Sequence, residues 1–478
     1  MTPEPAPVTR AATLSTFDTV SVIVGIVIGA GIYETPPFVF SSVSSGTLAL
    51  AAWAVGGLLC LNGAFTYAEL ASAYPRSGGD YIYLTRAFGS WLGFLFGWAQ
   101  ISVILTGSIG MMAYVFANYA STLWDFGPAT TLTYAVGSVV VLSLTNLCGV
   151  ALGKYVQNVL SSAKLLGLAA VIVAGLLAVP PQVEPISEQA ATTTATTSAA
   201  IATFASALVL VFITYGGWND AAFFVAEMRD RKKIIRALSL GILIITAVYL
   251  LINAAYLRAL GWPGVRDAGA IASDAMQAAV GPIGARGVAL LVTISALGAV
   301  NGIIFAGSRV YAAVGEDHRM FALLAHRDRR FGSPVWSLAA QAAITVIMIV
   351  VVGTEAGQQG LNRAFSACGL DEVSWAGKGG FDTLLRCTAP VFWLFFLLTS
   401  LSLFVLRQRD PHIERPFHVP LYPLCPLLFT ATCGYMLYGG IRYAESLTWV
   451  GAALLAAGLP IYLASRILAP APRPSAKK

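Results

Sequence analysis

The stretch that decides the fold is Val24-Gly-Ile-Val-Ile-Gly-Ala-Gly-Ile-Tyr-Glu-Thr-Pro-Pro37, in the middle of the first long apolar segment. Gly29 and Gly31 lie near its centre, and a proline pair follows them. A later apolar segment carries a similar interruption, Phe212-Ile-Thr-Tyr-Gly-Gly-Trp-Asn-Asp220. Inside a membrane helix, glycine and proline free backbone groups that lipid cannot satisfy. Such breaks therefore persist only where they line protein or a water-filled cavity.

The composition places these segments in a membrane. Of the 478 residues, 57% are hydrophobic and only 11% are charged, whereas a soluble domain carries about 25% charged residues. Apolar segments recur from Thr16 to Ile467 without a soluble-looking interval. The net charge of +6 comes from basic residues in short loops. The positive-inside bias explains this excess better than a nucleic-acid partner does.

Twelve apolar stretches have the length of about 20 residues that is needed to cross a bilayer. They lie near 17–40, 47–72, 90–117, 131–150, 156–179, 201–227, 237–260, 286–312, 333–353, 388–407, 420–440 and 445–467. The N-terminal residues lack the apolar core and cleavage site of a signal peptide. Most of the 29 Lys and Arg residues lie on the same side as the N-terminus, which predicts that both termini are inside.

The interrupted spans are the first and the sixth, so they hold equivalent positions in two groups of five. This arrangement is typical of inverted-repeat transporters, whose binding site is formed by discontinuous helices. A half-helix that starts at a break offers free N–H groups to a carboxylate, and one that ends there offers carbonyls to an ammonium group. An α-amino acid carries both charges. The alternative is that the glycines only allow close helix packing, but two clusters at matching positions favour a site.

Further motifs cover nearly the whole chain and resemble those of amino acid permeases of the amino acid–polyamine–organocation (APC) superfamily. The resemblance is closest to bacterial relatives of the L-type amino acid transporters. The motifs are Gly25-Ile-Val-Ile-Gly-Ala-Gly-Ile32, Tyr67-Ala-Glu-Leu70, Tyr74-Pro-Arg-Ser-Gly-Gly-Asp-Tyr81, Tyr215-Gly-Gly-Trp-Asn219 with Glu227, Asn301-Gly302 with Ser308-Arg309, and Glu414-Arg-Pro-Phe-His-Val-Pro420.

The resemblance implies an all-α membrane protein with 12 transmembrane helices. Its fold would be a LeuT-type 5+5 inverted repeat, with helices 1 and 6 broken and two extra C-terminal helices. It also implies a bacterial inner membrane location, with both termini cytoplasmic. The corresponding divisions are a tail at 1–16, repeats at 17–179 and 201–407, a periplasmic connector at 180–200, the extra helices at 408–467 and a tail at 468–478.

The resemblance also assigns a substrate site to the two breaks. Nine residues are expected to bind substrate: Val27, Gly29, Ala30, Gly31, Ile32, Ile213, Tyr215, Gly216 and Asn219. The amides of Ala30 and Gly31 are expected to hold the substrate carboxylate. The carbonyls of Val27, Ile213 and Gly216 are expected to hold the amine. Asn219 is expected to stabilise the unwound sixth helix.

Two positions depart from the family pattern. Ala30 stands where many relatives have serine, which removes one hydroxyl contact. Ile213 stands where relatives often place an aromatic gate, so the occlusion of the substrate is expected to be looser or to use Phe212 or Tyr215.

The outside loop 118–130 has no cysteine, so no disulfide-linked heavy chain is expected. A monomer or a weak homodimer is expected instead.

Lys164 is the only basic residue near the middle of a predicted span. A lysine at that depth costs about 2.5–3.5 kcal/mol on insertion scales, which suggests a role or a partner. The resemblance puts it where sodium-coupled relatives bind sodium. We therefore expect its ammonium group to replace the ion and to bridge the fifth helix to the first. The alternative is a lysine that extends toward water.

Four acidic residues lie in or near the predicted spans. Glu34 and Asp220 either face the cavity and favour a cationic substrate, or cap half-helices; we expect the capping role. Glu69 and Glu227 are expected to pair with nearby arginines. No cofactor or metal is expected, since no pair of the six cysteines has metal-ligand spacing.

These observations predict a sodium-independent transporter that takes up neutral L-amino acids by exchange or proton coupling. A cationic amino acid or polyamine carrier of the same fold is the alternative. All four histidines fall in predicted inside loops, so no acid–base site of an intramembrane enzyme is expected. A channel would need a pore lined by rings of carbonyls or charges, and the sequence has no such repeat.

Overall fold

The computed structural model describes residues 16–29, 31–75, 78–180, 197–220, 222, 233–326, 333–373, 375 and 379–468. All regular secondary structure in these residues is helical. A π-helical turn, Gln100–Ile104, joins the α-helices Ser90–Ala99 and Leu105–Leu123 into one long helix. The helices of the first half are α1 (Thr16–Val27), α2 (Gly31–Glu34), α3 (Pro36–Ser41), α4 (Gly46–Ala73), α5 (Asp80–Phe88), α6 (Ser90–Ala99), α7 (Leu105–Leu123), α8 (Thr130–Leu147) and α9 (Val150–Leu177).

The second half begins with the other interrupted span and ends with a pair of helices broken by a short 3₁₀ turn. Its helices are α10 (Thr197–Tyr215), α11 (Ile234–Arg266), α12 (Ile271–Val280), α13 (Pro282–Asp317), α14 (Ala322–Ala325), α15 (Val335–Gly353), α16 (Glu355–Ala367), α17 (Gly380–Arg409), α18 (Leu424–Ala444), α19 (Thr448–Ala456) and α20 (Gly458–Leu468).

Most long helices coincide with the predicted spans. Within the described residues, nine helices are long and apolar enough to cross a bilayer, which makes the chain a multi-pass membrane protein. The largest difference concerns α17, which starts at Gly380 rather than near 388. Its first turns are polar, and hydropathy therefore missed them. Arg386 binds Asp382 at 2.8 Å within this stretch, and the Tyr443 hydroxyl donates to the same carboxylate.

Close helix packing depends on small residues at the points of contact. Gly56 and Gly57 of α4 face α10 and α11. A Cβ atom on Gly56 would lie 2.4 Å from Val211, and one on Gly57 would lie 2.3 Å from the Thr246 hydroxyl. Real side chains do not tolerate such distances, so α4 approaches both helices only because these positions are glycine.

A buried ion cluster ties α4 to the end of α17 and the segment after it. Glu69 is fully buried and binds Arg407 through two hydrogen bonds of 2.8 and 2.5 Å. Arg415 lies 3.4 Å from the same carboxylate, and the Val419 amide donates to it at 2.7 Å. The expected pairing of Glu69 with arginines is therefore confirmed. Glu227, for which the same was expected, lies outside the described residues.

A second pair joins α5 to the end of α17. Arg86 donates to Asp410 at 2.5 Å, and the Tyr74 hydroxyl donates to the same carboxylate at 2.9 Å. These donors, Arg86 first, hold the pKa of Asp410 below its usual range. Because α5 follows directly after α4 in the chain, both ends of this connection are anchored to α17.

We predict that Glu69→Gln destabilises the protein by about 3–5 kcal/mol, the cost typical of removing one partner of a buried ion pair. Arg415, only 8% exposed, would keep its charge without a counter-ion. Thermal unfolding of the purified protein in detergent measures the loss. The matched control is Glu445→Gln, whose carboxylate is 64% exposed and 4.0 Å from Arg386; about 1 kcal/mol or less is expected there. Equal melting temperatures for both variants would contradict the prediction.

Candidate functional site

The first predicted break is present. Helix α1 ends at Val27, and α2 starts at Gly31. The Gly29 amide turns back to the Val27 carbonyl at 2.7 Å, a contact too local for an α-helix. Ala30, one of the two residues expected to hold the carboxylate, lies outside the described residues.

The second break lies where the two glycines predicted it. Helix α10 ends at Tyr215, and Gly217 adopts a φ of +104°, a conformation that favours glycine. A 3₁₀ turn covers residues 218–220, and the Asp220 amide donates to the Gly217 carbonyl at 3.2 Å. Most of the predicted continuation of this span, 223–232, lies outside the described residues.

The two breaks face each other at van der Waals contact. A Cβ atom on Gly31 would lie 3.3 Å from the methyl group of Thr214, and one on Gly217 would lie 2.8 Å from Ile26. The two interruptions are therefore packed against each other, and a side chain at either position would require its neighbour to shift.

A cavity of about 190 Å³ opens beside the paired breaks. It is smaller than the roughly 300–1,000 Å³ typical of drug-sized ligands, so it suits a small solute. Six of the nine predicted residues line it: Val27, Gly29, Gly31, Ile213, Gly216 and Asn219. Ile32 and Tyr215 are buried beside it without lining it.

The aromatic side chains divide between the cavity wall and the helix packing behind it. Phe212 lines the cavity, where its ring meets that of Trp393 edge-on at 6.0 Å. Tyr215 turns away, and its hydroxyl donates to the Trp53 carbonyl at 3.1 Å. Of the two residues considered for a gate at position 213, only Phe212 is at the cavity.

Tyr249 of α11 joins the two breaks and was missed by the sequence analysis. Its buried hydroxyl lies 2.9 Å from the Val27 carbonyl and 3.0 Å from the Thr214 carbonyl. The Val27 carbonyl also accepts the Gly29 amide, so both of its lone pairs have a donor. A tyrosine between apolar neighbours in a span carries no sequence signal that separates this role from packing.

The expected bridge from the fifth span to the first is present. Lys164 of α9 is fully buried, and its ammonium group donates to the Gly25 carbonyl of α1. Gly25 lies one turn before the break, so the charge sits behind the cavity rather than in its wall. The alternative, a lysine that extends to water, is excluded by this burial.

Asp220 and Glu34 differ in their position relative to the cavity, which the sequence did not indicate. Asp220 lines the cavity and accepts a 3.2 Å hydrogen bond from Asn219, whereas Glu34 is not among the lining residues. Asp80, the first residue of α5, also lines the cavity. It lies 140 positions before Asp220 in the sequence, so only the fold brings the two together. The described residues contain no group of three or more His, Cys, Asp or Glu suited to a metal ion.

Apolar spans that surround a solute-sized cavity at two facing helix breaks define a membrane transporter rather than an enzyme. The sequence profile of the amino acid permease family matches residues 14–464, and the chain belongs to that family. It is therefore an amino acid transporter, as the resemblance to APC permeases implied.

Three relatives show how far the similarity extends. The chain is 28% identical over 447 residues to the serine/threonine exchanger SteT of Bacillus subtilis, covering 92% of this chain and 94% of that protein. It is 28% identical over 421 residues to the human b(0,+)-type amino acid transporter 1, with coverages of 86% and 79%. It is also 28% identical over 447 residues to the human large neutral amino acids transporter small subunit 2, with coverages of 92% and 78%.

We predict that Tyr249→Phe weakens substrate binding about 3- to 10-fold, because the carbonyls at the two breaks lose the one hydroxyl donor that they share, worth about 0.5–1.5 kcal/mol. Binding is measured by thermal stabilisation with the amino acid that stabilises the wild type most. Tyr256→Phe is the matched control, since this buried tyrosine of the same helix has no hydrogen-bond partner for its hydroxyl among the described residues. Equal losses in the two variants would show that Tyr249 only fills space.

Proposed function

We propose that the chain moves neutral L-amino acids by alternating access, independently of sodium, either by exchange or with a proton. The observation that carries this proposal is the cavity at the two facing breaks, where six of the nine predicted residues meet. Backbone groups at the breaks match the α-amino and α-carboxylate groups that all amino acids share. Much of the remaining wall is apolar or aromatic, which suits an uncharged side chain.

The proposed binding mode uses the opposite ends of the half-helices. The substrate carboxylate binds the amides of Ala30 and Gly31, at the positive dipole end of the half-helix that starts there. The amine binds the carbonyls of Ile213 and Gly216. Val27 contributes less than the family resemblance implied, because its carbonyl already has two donors.

Sodium independence follows in this proposal from Lys164. Its ammonium group supplies a fixed positive charge to the α1 backbone, in place of an ion that would have to enter and leave. Release or uptake of a proton by this group would provide coupling, and a permanent charge would favour exchange.

We also propose twelve spans in a 5+5 inverted repeat, with repeats at 17–179 and 201–407 and both termini in the cytoplasm of a bacterial cell. The nine apolar helices support this count, because the last candidate covers 42 residues, Leu424–Ser465, and is long enough to cross twice. The interrupted first span and α10 bring the total to twelve. The proposed assembly is a monomer or weak homodimer, without a disulfide-linked heavy chain.

A second candidate is a cationic amino acid or polyamine carrier of the same fold. The observation that favours it is the position of Asp220 in the cavity wall. Glu34, the other acid considered for this role, is not part of the described lining.

Uptake into proteoliposomes tests the proposed function. A panel of labelled amino acids should show accumulation of neutral L-amino acids without a sodium gradient. Internal amino acid should accelerate uptake if the protein exchanges, and an inward proton gradient should do so if it is proton-coupled. Uptake that requires sodium, or no uptake of any amino acid, would contradict the proposal.

We predict that Lys164→Ala lowers transport at least about 10-fold, because a charge-assisted hydrogen bond worth about 1.5–3 kcal/mol to the α1 backbone is lost. The folded protein should still be recovered as a single species in detergent. Leu166→Ala is the control on the same helix, since that side chain is 74% exposed. Wild-type rates in the lysine variant would refute the proposed coupling role.

A further inference from the structure

Gln100 is a buried polar residue of the cavity wall that the proposed binding mode does not use. It lies where α6 passes into the π-helical turn, is 6% exposed, and lines the same cavity as Gly29, Gly31 and Ile213. Its Oε1 atom is buried and accepts no hydrogen bond from the described residues. An amide oxygen buried in this way is costly, because nothing replaces the water that it has lost.

Several other polar groups of the cavity wall already have partners within the protein. Thr214 and Thr388 donate their hydroxyl groups to carbonyls about one turn earlier in their own helices, at 3.2 and 3.3 Å. The Asn219 amide donates to the Asp220 carboxylate at 3.2 Å. These donors are therefore in use, whereas the Gln100 oxygen still lacks a donor.

The backbone around Gln100 is held from behind by another helix. The π-helical turn Gln100–Ile104 widens the helix, and such turns occur frequently at functional sites. The Tyr311 hydroxyl of α13 lies 3.1 Å from the Gln100 carbonyl and 3.3 Å from the Ile101 carbonyl. Because Tyr311 is fully buried, it ties the turn to α13. The Gln100 main chain is thus fixed, while its side chain remains available at the cavity.

The chemistry of this side chain matches a neutral polar group. A glutamine amide ends in one acceptor oxygen and one NH₂ donor, and a hydroxyl or a carboxamide can both donate and accept. An aliphatic side chain of the same shape would leave the Gln100 oxygen unpaired. We propose that Gln100 binds the side chain of the substrate, so that the protein prefers neutral amino acids with a hydroxyl or carboxamide group over aliphatic ones of equal size.

This inference rests on the proposed function, because Gln100 meets a substrate side chain only when the α-amino and α-carboxylate groups bind at the breaks. It deepens that function, since the backbone groups at the breaks recognise what all amino acids share. Gln100 adds a choice among the side chains.

The test compares L-threonine with L-valine, which has the same shape but a methyl group in place of the hydroxyl. Competition against a labelled neutral amino acid in proteoliposomes gives the two apparent affinities. The wild type should bind threonine at least about fivefold more tightly than valine, because valine leaves a buried polar group unpaired. Gln100→Met keeps the length of the side chain without its amide, and the threonine-to-valine affinity ratio should fall to about 1 or below.

Gln341→Met is the matched control. This glutamine of α15 is 1% exposed and has no hydrogen-bond partner for its amide among the described residues, but it does not line the cavity. Its ratio should stay within about twofold of the wild type.

A wild type that binds both compounds equally, or valine more tightly, would overturn this inference and leave the proposed function intact. An unchanged ratio in Gln100→Met, or an equal loss in both glutamine variants, would also overturn it. If no amino acid competes or is taken up, the proposed function fails as well. The wild-type comparison decides the inference even where a variant does not fold.

Discussion

Within a membrane, a backbone carbonyl that loses its helical partner must find another donor, because lipid offers none. The two helix breaks create several such carbonyls, and the neighbouring spans supply the donors. The Tyr249 hydroxyl serves Val27 and Thr214, and the Lys164 ammonium group serves Gly25. The interrupted helices are therefore stable because α11 and α9 each place one buried polar group behind them.

The side chains that satisfy these carbonyls also determine which backbone groups remain for a solute. Where side chains already satisfy the carbonyls behind the breaks, the groups left for a solute are those that face forward, at Gly31, Ile213 and Gly216. The packing of Gly31 on Thr214 and of Gly217 on Ile26 fixes these groups relative to one another. A preorganised backbone of this kind lowers the ordering cost of binding a small solute.

The sequence predicted the features that depend on backbone freedom and missed those that depend on tertiary contact. Glycine clusters marked both breaks, since only a particular residue type permits that backbone. Lys164 was found because a charge in an apolar span is costly wherever it points. Tyr249 and Asp80 were missed, because a tyrosine is common in packing and Asp80 follows a loop motif far from Asp220. The start of α17 was missed because its first turns are polar, and hydropathy does not reveal that Arg386, Asp382 and Tyr443 bind one another.

The buried acids show why charge alone does not identify function. Glu69 and Asp80 are both nearly inaccessible, and both carry a carboxylate that is expensive to bury. Two arginines and a backbone amide surround the Glu69 carboxylate and offset its desolvation free energy. The residue therefore holds α4 on α17. Asp80 instead has the hydroxyl groups of Tyr67 and Thr399 and the amide of Asn219 beside its carboxylate, and it lines the cavity. The neighbours of each carboxylate, and not its charge, therefore distinguish a structural ion pair from a group in the cavity wall.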